Sequence, residues 1–185
     1  GTEIIAAHTA ARKIFSFSIL PISTLAASLV TFTSQNTGAG KPERVRAGIK
    51  SATILGFVWS LVAFFLLYFG GAALVRMITD SDTFVIGTAV KYLRINVPFY
   101  AFLCILCFFR STLQGLGQKI IPVIASIIEL SGKAIIVFVL VPRMGYLAVC
   151  ICEPILWILS GILVSVPMYR FLKITHSPDS AQMCQ

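Results

Sequence analysis

Between Ile49 and Val75 the chain reads IKSATILGFVWSLVAFFLLYFGGAALV. From Ser51 to Val75 no residue is charged. At about 1.5 Å per helical residue the stretch is about 40 Å long, enough to cross the ~30 Å hydrocarbon core of a bilayer. A membrane-spanning strand would alternate apolar and polar residues over about 10 positions. Leu61-Val62-Ala63-Phe64-Phe65-Leu66-Leu67 is apolar at every position, so the stretch reads as a transmembrane helix.

Four further runs have the same character: Ile4 to Ser34, Phe84 to Leu113, Ile120 to Val141 and Tyr146 to Tyr169. The links carry helix-ending residues: Gly38-Ala39-Gly40-Lys41-Pro42, Thr79-Asp80-Ser81-Asp82, Gly115-Leu116-Gly117 and Pro142-Arg143-Met144-Gly145. The expected architecture is all-α and polytopic, with five spans over residues 4–34, 49–75, 84–113, 120–141 and 146–169. Residues 1–173 form one membrane unit, and 174–185 a polar tail.

Composition agrees. Charged residues make up 12% and hydrophobic residues 57% of the chain, against about 25% charged in soluble domains. Mean hydropathy is +0.91. As a soluble protein it would expose a largely unbroken apolar surface, which argues against a soluble enzyme or a disordered segment. The net charge of +8 then reflects anchoring at a membrane face, with no nucleic-acid partner implied.

Basic residues in alternate links set the orientation. Lys41, Arg44, Arg46, Lys50, Arg110, Lys119, Arg170 and Lys173 share one side. The other side holds Arg76, Lys91, Arg94 and Arg143, with Arg12 and Lys13 near the start of the first span. The richer side is expected to be cytoplasmic, so the stretch starts outside and ends inside. With Gly1 in place of Met and no signal segment, an odd number of spans is expected upstream.

The first span carries Thr24, Ser28, Thr31 and Gln35 on one helix face, with Phe17 and Pro21 on the same line. In lipid such a stripe must face other helices or a water-filled path. Hydroxyls that bond their own i−4 carbonyls and pack on a neighbour are the plainer reading; a cavity lining is the functional one. Pro21 could kink the helix, as in broken transporter helices.

In the fourth span Glu129 and Lys133 stand i,i+4 apart in the order that favours a helix pair. They either neutralise one another or mark an intramembrane functional site. Glu153 precedes Pro154 nearer the outer end of the fifth span, within reach of water. Arg110, Arg170 and Lys173 are expected to anchor at headgroup level. Tyr92, Asn96 and Tyr100 in the third span suit either an organic cation on a π face or an interfacial aromatic belt.

Nothing points to catalysis or to a metal. His8 and His176 have no acid or cysteine at ligand spacing, and Cys104-x-x-Cys107 lacks a second pair. Cys150, Cys152 and the cysteine pair read as buried thiols. His-Glu-x-x-His, Gly-x-Ser-x-Gly and the phosphate-binding glycine loop are all absent.

The links nevertheless resemble a known family. Gln35-Asn36-Thr37-Gly38-Ala39-Gly40-Lys41-Pro42-Glu43-Arg44 is similar to the QN-x-GAGK-x-x-R segment of the multidrug and toxic compound extrusion (MATE) transporters. Tyr92-Leu93-Arg94-Ile95 through Pro98, Arg110-Ser111-Thr112-Leu113-Gln114-Gly115-Leu116-Gly117, Ile128-Glu129-Leu130 and Glu153-Pro154 with Trp157 follow in the family's order. The resemblance runs from about Ile5 to Tyr169 and implies most of the C-terminal six-helix lobe, spans eight to twelve, of a twelve-helix two-lobe transporter. The missing N-terminal lobe of the same chain would be its partner, and the bacterial cytoplasmic membrane its location.

The resemblance further implies export of small organic, often cationic, compounds in exchange for Na⁺ or H⁺, with no other cofactor. Members with a cation site in this lobe use acidic residues on spans seven and ten. Here the equivalent of span ten, Phe84 to Leu113, has no Asp or Glu, so the coupling ion is expected to bind elsewhere in the chain. The stripe Thr24-Ser28-Thr31-Gln35 maps to a cavity-lining helix. The rival readings are a lipid-linked oligosaccharide flippase of the same superfamily, which would want a more basic cavity, and a non-catalytic assembly subunit.

Overall fold

In the computed structural model, residues 2–79 and 83–174 are described. The expected tail, with His176 and Cys184, and Asp80-Ser81-Asp82 lie outside them. Among the described residues the chain is helical almost throughout, with no strand. Helix α1 is Thr2–Gly38, α2 Pro42–Ile78, α3 Thr83–Asn96, α4 Tyr100–Gly115, α5 Ile120–Ile135, α6 Val141–Met144 and α7 Tyr146–Ile174. They compose five membrane-length spans, the third made of α3 and α4 and the fourth of α5 and α6.

The junctions within these two spans have local causes. A single 3₁₀ turn, Val97–Phe99, joins α3 to α4, where Pro98 has no N–H to give a carbonyl one turn back. A π-helical turn, Ile136–Leu140, joins α5 to α6 just ahead of Pro142. Helix α1 runs unbroken through Pro21, and α7 through Pro154 and Pro167.

Two of the links close by the same device. After α1, Gly40 has φ +65°; its N–H donates to the Thr37 carbonyl, and the Lys41 N–H to the Asn36 carbonyl. After α4, Gly117 has φ +79°, with its N–H on Gln114 and the Gln118 N–H on Leu113. Both are Schellman caps, which need a residue free to take positive φ.

Helix α1 lies at the centre, packed on α2, α3 and α4, while α4 also packs on α7, and α7 on α5. Its packed face is rich in small residues, Ala7, Ala10, Ala11 and Ala26, which let backbones approach closely where lipid supplies no hydrophobic drive between helices. Helix α2 buries Val45, Ile49, Ala52, Gly56, Ser60, Ala63, Leu67, Gly71 and Val75. These recur every three or four residues, one stripe along the helix. The other face, with Leu55, Phe57, Leu61, Phe65 and Phe69, is exposed. Phe15, stacked on Trp157 and edge-on to Tyr100, ties α1, α4 and α7 at mid-bundle. Helix α5 is peripheral, burying only Pro122 and Ala125 among its residues.

Candidate functional site

Thr24, Ser28, Thr31 and Gln35 all lie exposed on α1, on the side away from buried Ile22, Ala26, Leu29 and Thr33. The Thr24 hydroxyl donates to the Leu20 carbonyl at 2.9 Å and the Ser28 hydroxyl to the Thr24 carbonyl at 3.0 Å. Each donor is satisfied by its own helix, so these hydroxyls can stand in a low-dielectric place and still offer lone pairs to a visitor. The stripe is polar, uncharged and open.

Tyr92, Asn96 and Tyr100 do not share that surface. All three are 0% exposed, which corrects the expectation of an interfacial belt; Tyr92 is placed at a cavity with His8, Arg12, Lys133 and Glu153. Tyr100 Oη lies 2.6 Å from Ser18 Oγ, and Trp59 Nε1 donates to the Ser18 carbonyl at 2.8 Å, joining α1, α2 and α4. Asn96 Nδ2 donates to the carbonyls of Tyr92 at 2.8 Å and Cys150 at 3.2 Å. These groups hold helices together, as polar side chains inside membrane bundles do.

The charges also pair differently from the i,i+4 expectation. Glu129 Oε1 accepts from Arg110 Nη1 at 3.3 Å, and Arg110 Nη2 reaches Ser126 Oγ. Arg110 therefore bridges α4 to α5. Lys133 Nζ lies 3.2 Å from Glu153 Oε1, and Arg12 Nη1 lies 3.2 Å from the same oxygen. Glu153, expected to be reached by water, has a side chain only 16% exposed. It draws α1, α5 and α7 together, seven residues or about 10 Å along α7 from Tyr146.

His8 joins this group, although sequence spacing offered it no partner. Its Nδ1 lies 3.4 Å from Tyr146 Oη, and its ring meets Tyr92 edge-on at 5.1 Å. Arg12 also lies over the Phe15 ring, 5.5 Å from its centroid. A cavity of about 310 Å³ is lined by His8, Arg12, Tyr92, Lys133, Cys152 and Glu153 among others. The signal available in advance was a basic residue on α1 and an acid on α7 at similar depth; nothing local said they meet. Cys104 and Cys107 are free thiols, Cys104 buried against Gly56 and Phe108.

The chain matches the family model described as MatE over residues 1–140. Comparison with curated proteins finds no match. Among solved structures, it is similar to one described as the inward-facing conformation of a multidrug resistance MATE family transporter of the MOP superfamily. The TM-score is 0.75 at 18% identity, over 93% of this chain and 40% of that one. That likeness shows a shared fold, and this stretch spans well under half of the solved chain.

Proposed function

The chain belongs to the MatE family of membrane transporters, and from that premise we propose that the protein is an antiporter exporting small organic, often cationic, compounds in exchange for Na⁺ or H⁺. It is an integral membrane protein; we place it in the bacterial cytoplasmic membrane, with the end of this stretch inside.

The observation that carries the reading is the exposed neutral stripe Thr24-Ser28-Thr31-Gln35 on α1. Weak acceptors beside exposed Phe17 and Leu20 suit organic molecules of varied shape, which gain from apolar contact and a few hydrogen bonds without a fixed charged anchor. A second lobe from the rest of the chain would face this stripe. Substrate and coupling ion would then bias a two-state arrangement of lobes, with no covalent step. Glu129 and Glu153 are each engaged by cations within the lobe, which supports a coupling-ion site elsewhere in the chain. Because the stripe is uncharged, drug export is favoured over a flippase for phosphate-linked oligosaccharides.

Cells producing the full-length protein should accumulate less of a fluorescent cationic dye or a fluoroquinolone. Collapsing the Na⁺ or the H⁺ gradient should restore accumulation. Unchanged accumulation, indifferent to both gradients, removes the multidrug assignment.

A further inference from the structure

A groove of about 600 Å³ runs between α4 and α7. Phe102 and Ile105 of α4 and Ile158, Ile162 and Val166 of α7 line its length, and Arg170 and Lys173 stand at one end. The Ser165 hydroxyl along it donates to its own helix, to the Gly161 carbonyl at 2.7 Å, so this length asks for no polar ligand. From Ile158 to Lys173 is about 22 Å along the helix. That is the depth of one leaflet, half of the ~30 Å hydrocarbon core plus its headgroup layer. Ile162 comes nine residues after Glu153, about two and a half turns, so the groove lies on the face of α7 opposite that carboxylate. Glu153 meets α1 and α5, and Trp157 stacks on Phe15 of α1. The groove therefore opens away from α1, whose exposed stripe is where a second lobe would sit, and toward lipid.

We propose that this groove holds an anionic phospholipid, with one acyl chain along the apolar length and the phosphate at Arg170 and Lys173. The groove matches both halves of that ligand in order. Branched and aromatic side chains cover the depth of the tails, and two cations at i and i+3, neighbours on one helix, stand at the depth of the phosphates. A guanidinium and an ammonium make charge-assisted hydrogen bonds to phosphate oxygens, whereas a zwitterionic headgroup brings a cation of its own to the same place. Gly161 lines the groove and keeps it open, since a side-chain carbon there would meet nothing within 4 Å. Lipid retention at this groove is independent of the export reading and is measured without transport.

The test is native mass spectrometry of the purified full-length protein in detergent, titrated with short-chain phosphatidylglycerol or with phosphatidylcholine of the same chains. The wild type should retain phosphatidylglycerol saturably and about tenfold more tightly than phosphatidylcholine. Arg170→Gln and Lys173→Gln should each cut that preference about three- to fivefold. Lys41→Gln, in the link between α1 and α2, should leave it unchanged. Gly161→Leu should fill the groove, so that phosphatidylglycerol retention falls about tenfold while the melting temperature holds or rises. Equal retention of the two lipids by the wild type overturns the assignment. So does a preference untouched by Arg170→Gln and Lys173→Gln, or lowered as much by Lys41→Gln. If a helix from the rest of the chain fills the groove instead, Gly161→Leu lowers the melting temperature and leaves lipid retention unchanged, which also overturns it.

Discussion

The side-chain amide of Asn96 on α3 donates to the carbonyl of Cys150 on α7 at 3.2 Å. That carbonyl sits four residues before Pro154, so the proline, having no N–H, deprives it of its helical hydrogen bond. In lipid no water replaces the lost donor. A neighbouring helix supplies it, and α7 continues through the proline unbroken.

Asn96→Leu should therefore destabilise the lobe by about 1 to 2 kcal/mol. Pro154→Ala restores a backbone donor to Cys150, so the double variant should recover part of the loss. Unfolding in mixed detergent micelles, run as a double-mutant cycle, measures the coupling. Strictly additive effects would show that Asn96 is not serving the proline-freed carbonyl.

Lys133 should couple to Glu153 and not to Glu129. A cycle of Lys133→Met with Glu153→Gln should give an interaction of about 1 kcal/mol, the scale of interhelical polar contacts in membranes. The same cycle with Glu129→Gln should give close to none, since Glu129 is held by Arg110. Equal coupling in both cycles would restore the i,i+4 pair.

Gly115 is a point of close approach. A Cβ there would meet Thr33 Cβ at 2.6 Å and the Val30 carbonyl oxygen at 2.7 Å, the latter rigid backbone. Gly115→Ala should push α4 from α1 and cost about 1 to 3 kcal/mol. Gly161→Ala, where nothing lies within 4 Å, should be neutral or stabilising by up to about 1 kcal/mol. Melting temperatures of the two variants side by side decide the matter.

The stripe on α1 can be probed with a hydrophilic thiol reagent in a cysteine-free full-length background. Cysteines at Ser28 and Thr31 should react several times faster than cysteines at Leu61 and Phe65 of α2, and bound substrate should slow them. Reactivity at Leu61 matching that at Thr31 would mean that the α1 face is no wetter than the outer face of α2.

The legible part of the fold lay in runs of apolar residues and in their punctuation. Gly38-Ala39-Gly40 and Gly115-Leu116-Gly117 end helices as expected, because positive φ at Gly40 and Gly117 is a local requirement. Which face of each helix is buried was not legible. Helix α2 is apolar all round, and lipid is as welcoming to Leu61 as the core is to Leu67. The polar residues stand out in an apolar chain, but their partners do not follow from it. Asn96 and Tyr100, expected at a cavity or an interfacial belt, are ties between helices, while Tyr92 lines the cavity beside His8 and Glu153.

By itself the sequence determined that the chain folds as five helices long and apolar enough to cross a membrane, joined at links marked by glycine and proline. These properties depend on length, hydropathy and backbone chemistry, all local along the chain. Only the tertiary structure decided that Lys133 answers to Glu153, that His8 and Arg12 belong beside them, and that Asn96 completes α7. Partner choice across a bundle depends on the rotation and depth of separate helices. Those follow from close packing at positions such as Gly56 and Gly115, which no periodicity within one helix can encode.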